Sequence, residues 1–181
     1  RESEERFRAL AEMIPSIVWS SDDITVDYFN SRWFAYTGRS ADKLNDDSWL
    51  AVIHPEDQPL AQSRVQHALQ TGAEYEIEYR LRRADGMYRW HIARAIRNPS
   101  LNRWFGIATD VHDLREAMDL LRERDEQLAL AQRAARLGVS SLDLSTGVGA
   151  TTPEWREVIG MPEAPAPQDF GTFLSLVHSD D

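Results

Sequence analysis

Residues 74–82 alternate strictly: Tyr75, Ile77, Tyr79 and Leu81 are separated by Glu74, Glu76, Glu78, Arg80 and Arg82. A period of two over this length predicts a half-buried β-strand. Asp85-Gly86 follows, a pair favoured in two-residue hairpin turns. Closing the chain there pairs Leu81 with Trp90 and Tyr79 with Ile92 on one buried face, and leaves His91 on the polar face opposite Arg80. After the loop at Asn98-Pro99-Ser100, residues 103–109 read as a third antiparallel strand. Upstream, Phe7, Leu10, Ala11 and Ile14 fall at i, i+3, i+4 and i+7 and predict a one-striped helix over residues 3–14, ended by Pro15. Ile17–Ser20 and Ile24–Phe29 read as short strands around the Ser21-Asp22-Asp23 turn.

Ser31–Tyr36 predicts a short helix with Gly38 as its left-handed C-terminal residue. Ser40–Ile53 is expected to hold small helical turns with Leu44, Trp49, Leu50 and Ile53 turned inward. His54-Pro55-Glu56-Asp57 reads as a helix start, because Pro suits the first turn and the acids favour the positive end of the dipole. Pro59 delays that helix, which runs to about Leu69 and ends at Gly72. From Asp110 the period changes. Leu114, Met118, Leu121, Asp125, Leu128, Gln132 and Ala135 step by four and three, a heptad seam with two polar interruptions, and Gly138 is the expected stop. So thin a stripe is marginal on a lone helix in water, which points to a second strand of the same coil. Asp125 and Gln132 favour a coiled coil over a helix laid on a surface, since polar seam residues fix register at a cost in stability.

The chain also begins to repeat itself. Asn30-Ser31-Arg32-Trp33-Phe34-Ala35-Tyr36-Thr37-Gly38 is answered at an offset of 122 by Thr152-Pro153-Glu154-Trp155-Arg156-Glu157-Val158-Ile159-Gly160. Val52-Ile53-His54-Pro55-Glu56-Asp57 is answered at an offset of 124 by Leu176-Val177-His178-Ser179-Asp180-Asp181. An offset of this size implies two copies of one domain, the second stopping early, with Leu142 in the place of Trp19. A length of 181 residues fits one domain plus part of another, and 42% hydrophobic residues with six Trp suffice for a packed core. A net charge of −10 argues against nucleic-acid partners and anionic membrane surfaces. The absence of cysteine excludes disulfides, thiolate metal sites and Cys nucleophiles and fits a reducing cytoplasm. With no initiating Met, the chain reads as an excised segment.

Strands, small helices, a longer helix, a three-stranded meander and an exit helix together resemble a PAS domain. The residues that carry the resemblance are the Asn30–Gly38 helix, His54-Pro55-Glu56-Asp57, the block Tyr79-Arg80-Leu81-Arg82-Arg83-Ala84-Asp85-Gly86, Trp90, and the closing Gly106-Ile107-Ala108-Thr109-Asp110-Val111. The closing Asp-Val resembles the Asp-Ile-Thr junction to a signalling helix (PAC motif), with His112 in place of the Thr. The expected class is α+β, a five-stranded antiparallel sheet with flanking helices followed by a coiled-coil-type helix and a partial second PAS domain. The expected divisions are an amphipathic helix at 1–14, a complete PAS domain at 15–111, a signalling helix at 112–137 and a partial PAS domain at 138–181. The resemblance implies a cytoplasmic sensory or dimerisation module upstream of an output domain in the same parent chain, a histidine kinase first and a cyclic-dinucleotide enzyme second. A constitutive interaction scaffold without a ligand is the alternative.

Candidate chemistry is thin. No Gly-rich phosphate loop, Gly-x-Ser-x-Gly elbow or His-Glu-x-x-His motif occurs, and the five His residues are not spaced as ligands, so no catalytic or metal-binding residue is assigned. Haem-binding PAS domains carry a His early in the long helix, where this chain has Leu60, Ala61 and Gln62, with His67 further on; haem is disfavoured. Cysteinyl-flavin photochemistry is excluded by the lack of Cys. Trp19, Phe29, Trp33, Phe34, Tyr36, Trp49, Tyr79 and Trp90 are candidates to line a small-molecule pocket between sheet and helices, against an ordinary filled core. Asp110, Val111, Leu114, Met118 and Leu121 are the candidate relay from sheet to helix in a homodimer.

Overall fold

The computed structural model describes residues 2–23, 25–40, 49–143, 145–160 and 171, and Leu44 lies outside them. The chain divides into two compact units, one ending at Glu116 and the next starting at Ala117. In the first, α1 (Glu2–Met13) precedes β1 (Ile17–Ser21), β2 (Val26–Phe29) and α2 (Ser31–Thr37). A 3-10 turn at Leu50–Val52 leads to α3 (Gln58–Thr71), β3 (Tyr75–Arg82), β4 (Tyr88–Asn98) and β5 (Arg103–Asp110). The five strands form one antiparallel sheet in the order β2-β1-β5-β4-β3, the expected α+β architecture.

One sheet face carries the core. Ile17, Phe29, Ile77, Tyr79, Leu81, Ala93 and Ala108 of the sheet meet Trp33, Val52, Ile53 and Ala61 from the helical side. The central strands contribute little bulk: Ala93, Ala95 and Ala108 are each at most 3% exposed. Gly106 is smaller still because Trp19, its partner across the ladder, lies over it; a Cβ there would sit 2.2 Å from the indole. On the opposite face α1 sets Phe7 and Ala11 against Val18 and Tyr28, with the Phe7 ring edge-on to Tyr28 and Phe105. The predicted stripe therefore splits, because Leu10 stays exposed and Phe7 and Ala11 alone reach the sheet.

Pro15 does more than end α1. The carbonyl of Ala11 needs a donor four residues on, and Pro15 has no N–H. Asn30, fully buried, supplies one: its Nδ2 donates to the Ala11 carbonyl at 3.1 Å and to the Ser16 carbonyl at 2.9 Å. Its Oδ1 accepts the Val18 N–H at 3.1 Å, and its own N–H donates to the Val18 carbonyl at 2.9 Å. One amide thus joins the end of α1, the start of β1 and the start of α2.

The hairpin between β3 and β4 corrects the predicted register. Leu81 pairs with Arg89, Arg80 with Trp90 and Tyr79 with His91. Arg83 N–H donates to the Met87 carbonyl and Gly86 N–H to the Arg83 carbonyl, with Gly86 at φ +90°. The loop is therefore Ala84-Asp85-Gly86, three residues with a left-handed glycine last, and not the two-residue Asp85-Gly86 turn. One extra residue reverses every side chain of β4. Trp90 and Ile92 move to the outer face, whereas His91, expected to be exposed, is 1% exposed among the core strands.

α4 (His112–Ala134) starts in the first unit and continues in the second. It ends in a Schellman arrangement: Arg136 takes the left-handed conformation at φ 52°, its N–H donates to the Arg133 carbonyl, and Leu137 N–H reaches back to Gln132. Gly138, expected to stop the helix, serves packing instead, because a Cβ there would lie 2.4 Å from the Trp155 Cα.

In the second unit β6 (Ser140–Leu142) and β7 (Gly149–Thr151) pair antiparallel and lead to α5 (Pro153–Val158), which buries Trp155. These elements repeat the β1–β2–α2 opening closely. Thr152 N–H donates to the Val139 carbonyl at 2.9 Å and its Oγ1 accepts the Val139 N–H at 3.2 Å, as Asn30 does with Val18. Gly160 matches Gly38 in the left-handed region, at φ 73° and 69°. By this correspondence Ser140, not Leu142, stands in the place of Trp19.

Candidate functional site

Between the inner sheet face and the helices lies a cavity of about 110 Å³, on the scale of the ~150 Å³ that holds one benzene ring. Trp19, Tyr75, Ile77 and Tyr79 form its floor, Phe29, Trp33 and Trp49 one wall, and Ala61, Val65 and Leu69 of α3 the other. Ring chemistry holds the wall: Trp33 stacks on Phe29 with centroids 4.2 Å apart and planes 10° from parallel. Burial pushes the phenols of Tyr75 and Tyr79 above their usual range, so both face the interior as neutral hydroxyls. Ser21, Asp22, Asp23 and Thr25 of the β1–β2 turn add the polar end. Asp23 is fixed there by Trp104 Nε1–H at 3.1 Å and Arg97 at 2.9 Å.

Five predicted lining residues, Trp19, Phe29, Trp33, Trp49 and Tyr79, meet at this cavity. Phe34 packs against the core without lining it. Tyr36 faces a separate cleft beside His91. Trp90 lies on the other side of the sheet, for the register reason given above. His67 is exposed on α3 and does not line the cavity. Among the described residues no group of three or more His, Cys, Asp or Glu is placed to hold a metal ion.

The His54–Asp57 segment does a different job from the one its spacing suggests. Asp57 makes no side-chain cap to α3. Its carboxylate instead accepts the backbone N–H of Arg80 at 2.8 Å and two guanidinium hydrogen bonds at 2.9 and 2.7 Å. The Arg80 side chain, helped by its backbone N–H, holds the Asp57 carboxyl below its ordinary value despite burial. His54 N–H donates to the Arg80 carbonyl at 2.8 Å. The segment is a clip fastening the start of α3, one cavity wall, to β3, the floor.

The junction adjoins this clip, since Arg80 pairs with Trp90 and the next residue, His91, pairs with Asp110. Arg89 Nε donates to Asp110 at 2.7 Å while its Nη2 reaches Asp113, in the first turn of α4, at 2.8 Å. Burial opposes ionisation of Asp110, but hydrogen bonds from Arg89 and the His112 N–H outweigh it and lower its pKa. Val111 N–H donates to the Trp90 carbonyl at 2.9 Å. Arg115 pairs with Glu78 and lies over Trp90 at 4.4 Å, while Arg80 approaches the same indole at 5.2 Å. Trp90, expected in the pocket, thus belongs to the root of α4. Beyond it Leu114, Met118, Leu121 and Leu128 are each at least 60% exposed.

Comparison with known proteins agrees with this geometry. Residues 26–109 match the family described as PAS fold. This part of the chain belongs to the PAS family. Two relatives illustrate its company. The chain is 32% identical over 122 residues to the uncharacterized protein y4lL of Sinorhizobium fredii, covering 65% of this chain and 15% of that protein. It is 28% identical over 148 residues to the peroxide stress-activated histidine kinase mak1 of Schizosaccharomyces pombe, covering 74% of this chain and 9% of the kinase. The PAS-containing chain therefore matches only a small share of these relatives' lengths. Among solved structures, an RNA-binding Light-Oxygen-Voltage receptor superposes with a TM-score of 0.56 at 21% identity, over 70% of this chain and 37% of that one. The PAS domain of a protein from Colwellia psychrerythraea gives 0.50 at 16%, over 62% and 99%. At these identities the likeness is one of fold. Among the described residues no helix is long and apolar enough to cross a membrane.

Proposed function

We propose that this chain is a sensory PAS segment of a multidomain signal-transduction protein, a sensor histidine kinase, acting in the cytoplasm. A small apolar or aromatic molecule of single-ring size occupies the Trp19–Tyr79 cavity. Its presence shifts β5 through the Trp19–Gly106 contact, and the shift reaches the Arg89–Asp110–Asp113 junction. α4 then passes a change of rotation or register to an output domain, as a symmetric coiled coil across Leu114, Met118, Leu121 and Leu128. The observation that carries this reading is continuity: the strand over which Trp19 lies is the strand that ends in Asp110. The likeness to histidine kinases supports the choice of output. In this reading residues 15–111 are the sensor, 112–137 the signalling helix, and 138–181 the opening of a second PAS domain.

The experiment is native mass spectrometry of the purified chain beside an Ala61→Leu variant, whose added bulk fills the cavity. A retained small molecule in the wild type, lost from the variant, supports sensing. A bare wild-type protein that also binds no single-ring compound from a fragment set leaves a constitutive interaction scaffold in its place.

A further inference from the structure

His91 is a titratable ring in the core, and the relay described above does not use it. It is 1% exposed and sits where the sheet meets α4. His91–Asp110 is the last pair of the β4–β5 ladder, and Asp110 is bonded to the same Arg89 that reaches Asp113. Trp90, one residue before His91, accepts the Val111 N–H through its carbonyl at 2.9 Å. The His91 Nδ1 lies 3.0 Å from the Arg89 carbonyl. A carbonyl only accepts, so Nδ1 carries the proton, and the neutral ring is anchored on the backbone of the arginine that makes the joint.

The surroundings favour that neutral form. Tyr36 of α2 packs edge-on against the ring, with centroids 4.9 Å apart, and burial pushes its phenol up to about 12, so it stays uncharged. Tyr79 of β3, the cross-strand partner of His91, is a second buried phenol whose pKa burial raises. The charges that act on the ring are Arg89 of β4, Asp110 of β5 and His112 at the start of α4. Asp110 alone among them favours an imidazolium, and it is already bonded to Arg89. Arg83 and Asp85 of the β3–β4 loop pair with each other, and Arg32 of α2 is bonded to the Ile14 carbonyl. Burial, the largest effect, holds the ring's pKa below its ordinary 6.5 against the opposing pull of the Arg89 carbonyl and Asp110.

We propose that His91 is an acid-sensitive latch on the root of α4. While its ring is neutral, the end of β4 stays closed on Tyr36 and the Arg89–Asp110–Asp113 joint holds. When that end opens, the ring reaches water, takes a proton at its ordinary affinity, and must lose it again before it can return to the core. The closed form's advantage is therefore complete above pH 6.5 and is lost as the pH falls from there toward the lower pKa of the closed form. One pH unit below 6.5 the opened form gains by at most about tenfold. Asp110 is not the sensor in this window, because its own pKa lies below its ordinary 3.8. The latch acts at the helix root whatever fills the Trp19–Tyr79 cavity.

The test is amide hydrogen exchange of the 181-residue chain, read residue by residue by NMR at about pH 7.5 and about pH 5.5. Val111 and Arg115, whose N–H groups donate to the Trp90 and Val111 carbonyls, report the root of α4. Their protection factors should fall by about three- to tenfold in the wild type over that interval. In His91→Phe, which keeps an aromatic ring against Tyr36 without the titrating group, they should hold within about twofold. His112→Gln removes the other imidazole at the joint, whose Nε2 pairs with Glu116 at 3.2 Å, and should leave the fall intact. The proposal is overturned if protection holds in the wild type, if His91→Phe shows the same fall, or if His112→Gln abolishes it. Equal protection at Val111 and at Val18, inside the sheet, overturns it too, because only unfolding of the whole unit would then expose the ring. Should His91→Phe not fold, titration of the His91 ring signals in the wild type decides: a pKa below 6.5 is expected, and one at or above 6.5 overturns the latch.

Discussion

Replacing Asn30 by Leu tests the tertiary knot on which the first unit turns. The side chain is nearly isosteric, so the change removes hydrogen bonds rather than volume. Three are lost: Val18 N–H to Oδ1, and Nδ2 to the Ala11 and Ser16 carbonyls. The Ser16 carbonyl belongs to a half-buried residue that water can reach. The Val18 N–H and the Ala11 carbonyl belong to residues 5% and 2% exposed. Pro15 offers the Ala11 carbonyl no substitute, and each orphaned buried group costs about 1–3 kcal/mol, so the variant should lose roughly 2–6 kcal/mol. At a urea slope of about 2 kcal/mol/M that is a midpoint shift of about 1–3 M with an unchanged slope. Asn30→Asp should be at least as damaging at neutral pH, since a carboxylate faces two carbonyls. It should recover as the pH falls, because that carboxyl's folded pKa is raised and its protonated form can donate. An Asn30→Leu variant within about 0.5 kcal/mol of wild type would refute the assignment of Asn30 as the joint between α1, β1 and α2.

Other outcomes follow from the same contacts. Gly106→Ala drives a methyl into the Trp19 indole and should cost about 1–3 kcal/mol by urea unfolding, while quenching or shifting the Trp emission. Asp57→Asn breaks the charged pairing with Arg80 and should cost about 1.5–3 kcal/mol at neutral pH. The Asp57 pKa is depressed below its ordinary 3.8, so its contribution is present above that value and fades as pH falls through the folded pKa. The variant and the wild type should therefore converge in stability in acid. Trp90→Leu removes the surface on which Arg115 and Arg80 lie and should raise amide exchange in the first turns of α4, leaving exchange in β3 unchanged.

The alternation of Tyr75 to Leu81 announced β3, and Gly38 and Gly72 marked helix ends that the structure keeps at positive φ. The strand register was harder. Asp85-Gly86 is a turn signal that does not count its own loop, and the dipeptide serves equally as the last two residues of a three-residue connection. Hydrophobicity then misled, because Trp90 and Ile92 look like core residues. The inner face of β4 has room only for Ala93, Ala95 and a buried His91, since Trp19, Trp33 and α3 supply the bulk from elsewhere. The same slip hid Trp90 at the helix root and His91 against the Tyr36 ring. Asp57 misled for a different reason: an acid before a helix suggests a cap, and the guanidinium that outcompetes the helix N-terminus comes from a strand 23 residues on. Asn30 could have been read more fully, since a buried Asn after two strands and a Pro-ended helix answers the missing N–H of Pro15.

Cysteine cross-linking along α4 tests the central claim of relay through a paired helix most directly, because the chain has no cysteine of its own. Single substitutions Met118→Cys and Leu121→Cys on the seam are compared with Asp119→Cys and Arg122→Cys beside it, under mild oxidation. Rapid covalent dimers are expected at the two seam positions and slow ones beside them, with the seam rates changing when the cavity is filled. Equal rates at all four positions, or no dimer at any, would contradict that claim.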